Sequence, residues 1–168
     1  MATGALGAGG NIVIPSFAVG RTQTLLYVIR ELEEEKKIPV LPVYVDSPMS
    51  LRATEVFEHR IVDLNIPSRV KAIGGTKIYR TGDLHLCATR TDSKQINRIG
   101  KRAIIISSSG MATGGRILHH LAQRLPHAVN TLLFIGYQAE ETRGRKIMEG
   151  AKDIKIHGAQ VPVNAKLE

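Results

Sequence analysis

Ala103-Ile-Ile-Ile-Ser-Ser-Ser-Gly-Met-Ala-Thr-Gly-Gly-Arg-Ile-Leu-His-His-Leu-Ala-Gln-Arg124 changes period part-way along its length. Ala103 to Ser107 is an almost unbroken apolar run, the pattern of a strand covered on both faces. Ser108 to Gly115 is a loop of small and hydroxyl residues, and a helix is expected from Arg116 to Arg124. Strand, glycine loop and helix in that order form the basic unit of a parallel sheet.

The same unit recurs on either side. Upstream, Asn11 to Phe17 reads as a buried strand. A helix over Val19 to Lys37 follows, with Thr22, Leu25, Leu26, Ile29 and Leu32 on one face. Lys36 and Lys37 suit the negative end of its dipole, and Pro39 stops it. Val43 to Val45 is a second strand. Asp46-Ser47-Pro48 then supplies a capping side chain and a first-turn proline for a helix from about Met49 to Arg60. Asp46, at a strand end, is a candidate catalytic carboxylate, but its place before Ser47-Pro48 favours a cap.

Residues 61–83 carry weak signals and are expected to form a surface excursion. Leu84 to Ala88 is a strand, and Thr91-Asp92 caps a short helix over Ser93 to Ile99. Downstream, Asn130 to Ile135 is a strand, Thr142 to Glu149 a helix, and Ile154 to His157 and Val161 to Ala165 are spaced like a hairpin. The expectation is an α/β fold of three layers: a largely parallel, Rossmann-like sheet with helices on both faces and a short C-terminal hairpin. Residues 10–168 would form one domain, with residues 1–9 a flexible start.

Composition narrows the function. The chain has 168 residues, 43% hydrophobic and 23% charged, which is ordinary globular usage and argues against disorder. Its formal charge is +8, so it attracts polyanions, of which nucleic acid is the commonest. Aromatics make up 4% with no Trp, too few for a domain that grips single strands mainly by stacking on exposed rings. Cys87, the one cysteine, lies in an apolar run and reads as a buried, reduced thiol of a cytosolic protein. No apolar stretch approaches a membrane span.

Three polar loops leave strands at the carboxyl edge of the expected sheet, where open parallel sheets bind ligands. They are Ser16 to Arg21, Ser107 to Arg116, and Gly136 to Arg145. Each joins small or hydroxyl residues to arginine near a helix start, so backbone N–H groups and Arg21, Arg116, Arg143 and Arg145 could meet phosphate. The bland alternative is that the glycines only turn the chain. A nucleotide P-loop is excluded because no lysine follows Gly114 or Gly115, and Gly7, Gly9 and Gly10 precede the first strand rather than follow it. His119-His120 point about 100° apart on a helix and suit one ion poorly. No His-x-His, His-Glu-x-x-His or Cys-x-x-Cys is present, so no metal site of the chain's own is expected. Ser107 to Ser109 lack the Gly-x-Ser-x-Gly frame of a nucleophile, and their hydroxyls are assigned to backbone or phosphate.

Gly10-Asn-Ile-Val-Ile-Pro-Ser-Phe-Ala-Val-Gly-Arg-Thr-Gln23, Val43-Tyr-Val-Asp-Ser-Pro48, the stretch from Ile106 to Leu121, and Asn130-Thr-Leu-Leu-Phe-Ile-Gly-Tyr-Gln-Ala-Glu140 together resemble the β-CASP family of metallo-β-lactamase-fold nucleases. Order and spacing agree from about Gly9 to Lys166. The resemblance implies a β-CASP insert that helps hold RNA over a catalytic domain carrying two zinc ions. The family's upstream His-x-His-x-Asp-His motif is absent here, and so is its downstream Ser-Ala-His stretch. The chain is therefore expected to be the insert alone. Glu141 stands where the family usually has Gly, and Arg143 where an apolar residue is common.

The implied role is a cytoplasmic RNA-binding module, inactive alone, with RNA and a metallo-β-lactamase catalytic domain (in cis or in trans) as partners. No catalytic residue, metal or cofactor is assigned to this chain. The RNA-facing edge would comprise Arg21, the loop residues Ser107, Ser108, Ser109, Gly110 and Met111, then Gly114, Gly115 and Arg116, and finally Tyr137 and Gln138. A competing expectation is a free-standing interaction protein that self-associates or docks onto a separate catalytic subunit through Ile154 to Ala165. A small-molecule phosphate enzyme is a third.

Overall fold

A computed structural model describes residues 9–64, 68, 77–100 and 102–168. The expected flexible start falls outside the described residues except for Gly9, as does much of the excursion over 61–83.

Strand β1 (Ile12–Pro15) is buried at every position, and so is β4 (Ile104–Ser107). The two pair in parallel, Ile12 opposite Ile104 and Pro15 opposite Ser107. Between them in sequence come helix α1 (Arg21–Glu34), strand β2 (Pro42–Asp46), helix α2 (Pro48–His59), strand β3 (Asp83–Leu86) and helix α3 (Arg90–Gln95). After β4 follow α4 (Ile117–Arg124), β5 (Thr131–Leu132), α5 (Arg143–Met148), β6 (Asp153–Ile156), β7 (Ala159–Pro162) and β8 (Lys166–Leu167). The sheet has six strands in the order β3-β2-β4-β1-β5-β8, all parallel, and β6 and β7 form a separate antiparallel pair.

The pleat sorts the apolar strand residues onto two faces. Ile12, Ile14, Val43, Val45, Ile104 and Ile106 share one core with Leu26 and Ile29 of α1, and Leu51 and Phe57 of α2 pack against it. Val13 and Leu132 face the other way, among Ile117 and Leu121 of α4, Ile147 of α5, and Ile154, Ile156 and Val161 of the hairpin. Ile105 joins Ile96 and Cys87 on that second face. The expected three layers are all present.

Differences from the sequence reading have local causes. Helix α1 starts at Arg21, not Val19, because Gly20 takes φ 80 and its N–H donates to the Gln23 side-chain Oε1 at 2.7 Å. Gln23 also staples the helix to α2 through its Nε2, which donates to Thr54 Oγ1 at 2.8 Å and to the Ser50 carbonyl at 3.3 Å. The strand expected over Asn130 to Ile135 pairs only at Thr131 and Leu132. The unforeseen β8 adds to its outer side, Lys166 opposite Thr131. The hairpin turns at His157 and Gly158, both at positive φ (50 and 85), the mirror-image turn that suits twisted strands.

Candidate functional site

Chain connections leave the sheet in opposite senses at its centre. From β1 the chain crosses β4 to reach β2, whereas from β4 it crosses β1 to reach β5. The neighbouring ends of β1 and β4 are therefore a topological switch point, and a crevice forms above them. A cleft of about 730 Å³ lies there. Phe17 and Ala18 line it from behind β1, Asp46 to Met49 from behind β2, and Ser108 to Gly110 with Gly114 to Arg116 from behind β4. Arg52, one turn into α2, completes the wall.

Below the cleft runs a buried polar chain. Asp46 ends β2 with none of its surface exposed. Its Oδ1 accepts from Arg116 Nη1 at 2.8 Å, and its Oδ2 accepts from Ser93 Oγ at 2.6 Å and from His120 Nε2 at 2.7 Å. His120, also fully buried, turns Nδ1 toward Arg124 Nη1 at 3.5 Å. Because an arginine can only donate, Nδ1 is the acceptor and the ring is the neutral Nε2–H form. Burial would raise the Asp46 carboxyl, but hydrogen bonds from His120, Ser93 and Arg116 outweigh it and hold the group below its ordinary range. Burial lowers His120, and the nearby Arg124 charge adds to that, against the opposing pull of Asp46.

The helix cap belongs to Ser47, not Asp46. Ser47 Oγ accepts from Ser50 N at 3.2 Å, and Pro48 occupies the first turn. Asp46 is left to hold Arg116 and His120 together. An Asp–His pair suggests nucleophilic catalysis, but the second nitrogen of His120 faces Arg124 rather than a hydroxyl, so no serine is activated here. Nor does the pair suit a dication, since arginines flank it at both ends. Among the described residues no three His, Cys, Asp or Glu side chains lie together as a metal site. Cys87 is buried and its thiol is pushed up to about 11, by burial first and then by Asp46.

The loop behind β4 is braced from within. Ser107 Oγ donates to the Asp46 carbonyl at 2.9 Å, and Ser108 Oγ to Ser47 Oγ at 2.5 Å. Ser109 Oγ accepts the N–H groups of Thr113 and Gly114 at 3.1 and 3.3 Å. Gly115 takes φ 82, and a Cβ there would lie 2.5 Å from the Ser108 carbonyl oxygen, so only glycine closes the loop. The backbone N–H groups of Gly110 and Gly115 give no hydrogen bond among the described residues, and both residues line the cleft.

The third loop is tied onto this one. Gln138, 3% exposed, donates through Nε2 to the Gly110 carbonyl at 2.9 Å. Gly144 N donates to the Met111 carbonyl at 3.1 Å, and Arg143 Nη1 to the Thr113 carbonyl at 3.0 Å. Gly144 leaves room for this clasp: a Cβ there would lie 1.7 Å from Gln138 Oε1 and would displace the amide. Glu141, in the family's glycine position, adopts φ 64.

The residues singled out by sequence thus separate into groups. Ser108, Ser109, Gly110, Gly114, Gly115 and Arg116 line the cleft. Ser107 and Gln138 lie beneath or beside it as supports, and Met111 contributes its carbonyl to the tie. Arg21 is exposed at the start of α1, and Tyr137 stands 71% exposed on the third loop. Arg116 spends three hydrogen bonds internally, on Asp46 and on the Cys87 and Ala88 carbonyls at 3.0 Å each. Arg145 pairs with Glu149 at 2.6 Å. Arg52 and Met49 are cleft residues outside the three expected loops, and Phe17 lies within the first of them but was not assigned to the RNA-facing edge. A cue was available: Met49 directly follows the Ser47-Pro48 cap and Arg52 lies about one turn further along the same helix, so both sit near whatever that cap flanks.

Known proteins resemble the chain over most of this structure. The Beta-Casp domain model matches residues 22–147. The ribonuclease TTHA0252 of Thermus thermophilus is 33% identical over 96% of the chain and 37% of its own length. An RNase J-like protein of Methanocaldococcus jannaschii is 34% identical over 95% of the chain and 36% of itself. The transcription termination factor FttA of Methanosarcina mazei is 34% identical over 89% and 24%. The chain thus spans about a third or less of the length of these relatives.

Proposed function

The chain belongs to the Beta-Casp domain family, and on that premise we propose that it is the RNA-gripping module of a metallo-β-lactamase-fold ribonuclease. It holds the strand and leaves the cutting to a catalytic domain. The observation that carries this reading is the convergence of strand-end loops on one cleft at the switch point, in a chain of formal charge +8. The side chains of Arg52 on α2 and Arg21 at the start of α1 are exposed and form no hydrogen bond or ion pair among the described residues, which leaves both charges for phosphate. The free N–H groups of Gly110 and Gly115 add neutral donors beside them. Arg116, Ser109, Tyr137 and Gln138 shape or border the same edge.

The two zinc ions of such an enzyme would be held by the catalytic domain, where they would activate water for attack on the phosphodiester. This chain's donors do not fit them: its buried carboxylate and imidazole are already committed to each other and to arginines.

Fluorescence anisotropy with a labelled single-stranded RNA, titrated over a range of salt, tests the proposal. Binding weakens steeply as salt rises, and Arg52→Gln makes the log–log slope shallower by about 0.7, one phosphate contact on a single strand. Binding that does not change with salt overturns the reading.

A further inference from the structure

The cleft is less a phosphate site than its glycines suggest. Beside the loop, its walls are apolar: Phe17, Ala18, Pro48 and Met49. Phe17 is 40% exposed and Met49 65%, so a large ring and a thioether are held in water at one mouth. A phosphate has no use for either. Polar groups sit below and beside this apolar mouth, with Arg116 largely satisfied from within and Arg52 unpaired on the rim.

We propose that the cleft receives one unstacked nucleobase of single-stranded RNA. The base lies against the Phe17 ring and the Met49 thioether, and Arg52 meets the phosphate next to it. This rests on the RNA-binding reading above and adds what the cleft itself recognises. Every base presents a flat π-face to an aromatic or sulfur neighbour, so the site accepts bases with little regard to sequence. The cleft's volume of about 730 Å³ is ample for a base with its ribose. A duplex is refused, because a paired base must leave its stack to enter. The positive charge of the chain selects this occupant over an uncharged apolar one.

The test compares three labelled ligands at low salt: a short single-stranded RNA, an abasic ribose–phosphate strand of the same length, and the matching duplex. The RNA is expected to bind about tenfold tighter than the abasic strand, and the duplex more weakly than the RNA. Met49→Ala, a truncation of an exposed side chain, brings RNA down toward the abasic value and leaves the abasic strand unchanged. Equal binding of RNA and abasic strand, or tighter binding of duplex, overturns the inference while sparing the RNA reading. Binding of neither strand overturns both. Dimerisation abolished by Met49→Ala would assign the cleft to a second copy of the chain and likewise overturn the inference.

Discussion

Arg116 and Arg52 line the same cleft, one giving three hydrogen bonds to its own protein and the other none among the described residues. The contrast extends to their surroundings. Around Arg116 the floor is a closed chain, Arg116–Asp46–His120–Arg124, in which every charge faces a partner or a neutral acceptor. Around Arg52 the rim is open, with Phe17 and Met49 in water. The floor gives the loop its shape, and the rim keeps its chemistry for something else. A charged residue in a binding cleft is therefore not evidence of ligand contact until its internal partners have been counted.

The largest expected effect breaks the floor. Asp46→Asn removes the one buried carboxylate that joins Arg116 to His120 and should lower stability by about 3–5 kcal/mol in urea denaturation. Arg52→Gln on the rim should stay within about 0.5 kcal/mol of the parent. Similar losses from both would erase the distinction.

A smaller effect comes from pH. The folded His120 titrates below its ordinary value of 6.5, so the unfolded chain takes up its proton first as pH falls. Its contribution to stability is complete above about pH 6.5 and is lost as pH drops below that, with a slope of up to about 1.4 kcal/mol per unit. Asp46 is lowered too, so its contribution is complete above its ordinary value of 3.8 and is lost only as pH falls below that. Denaturation measured from pH 7.5 to pH 5 should show the slope, and His120→Gln should remove its share. An unchanged slope would mean that the ring is not held neutral by the floor.

The smallest effect lies on the third loop. Glu141 sits at φ 64, where a side chain is strained, and Glu141→Gly should add about 0.5–1 kcal/mol of stability. It also removes a negative charge near the proposed RNA path, so affinity should rise with stability. A loss of stability would mean that this backbone is not strained in the way its angle implies.

Much of the sheet was legible because its central strands carry their own signal: Ile104 to Ile106 and Ile12 to Ile14 are apolar on both faces and bounded by loops. Strand β8 was not, since Lys166 and Leu167 have no periodicity and become a strand only by pairing with Thr131 and Leu132. The cleft was half legible. Its glycine loop announces itself in sequence, but Asp46 lies 70 residues from Arg116 and 74 from His120, and nothing local marks them as one ion-paired group. Arg52 and Met49 belong to a helix whose amphipathic pattern says which face is buried, not which end overlooks a ligand.

Gln138 and Gly144 lie outside the cleft, yet they clasp the loop that lines it. That clasp is a lever arm. A methyl group added at Gly144 would drive the Gln138 amide away from the Gly110 carbonyl, and the jaw would change its gape with no substitution in its lining. Selection for strands of different girth could therefore act from this outlying hinge and leave the groove's own residues untouched.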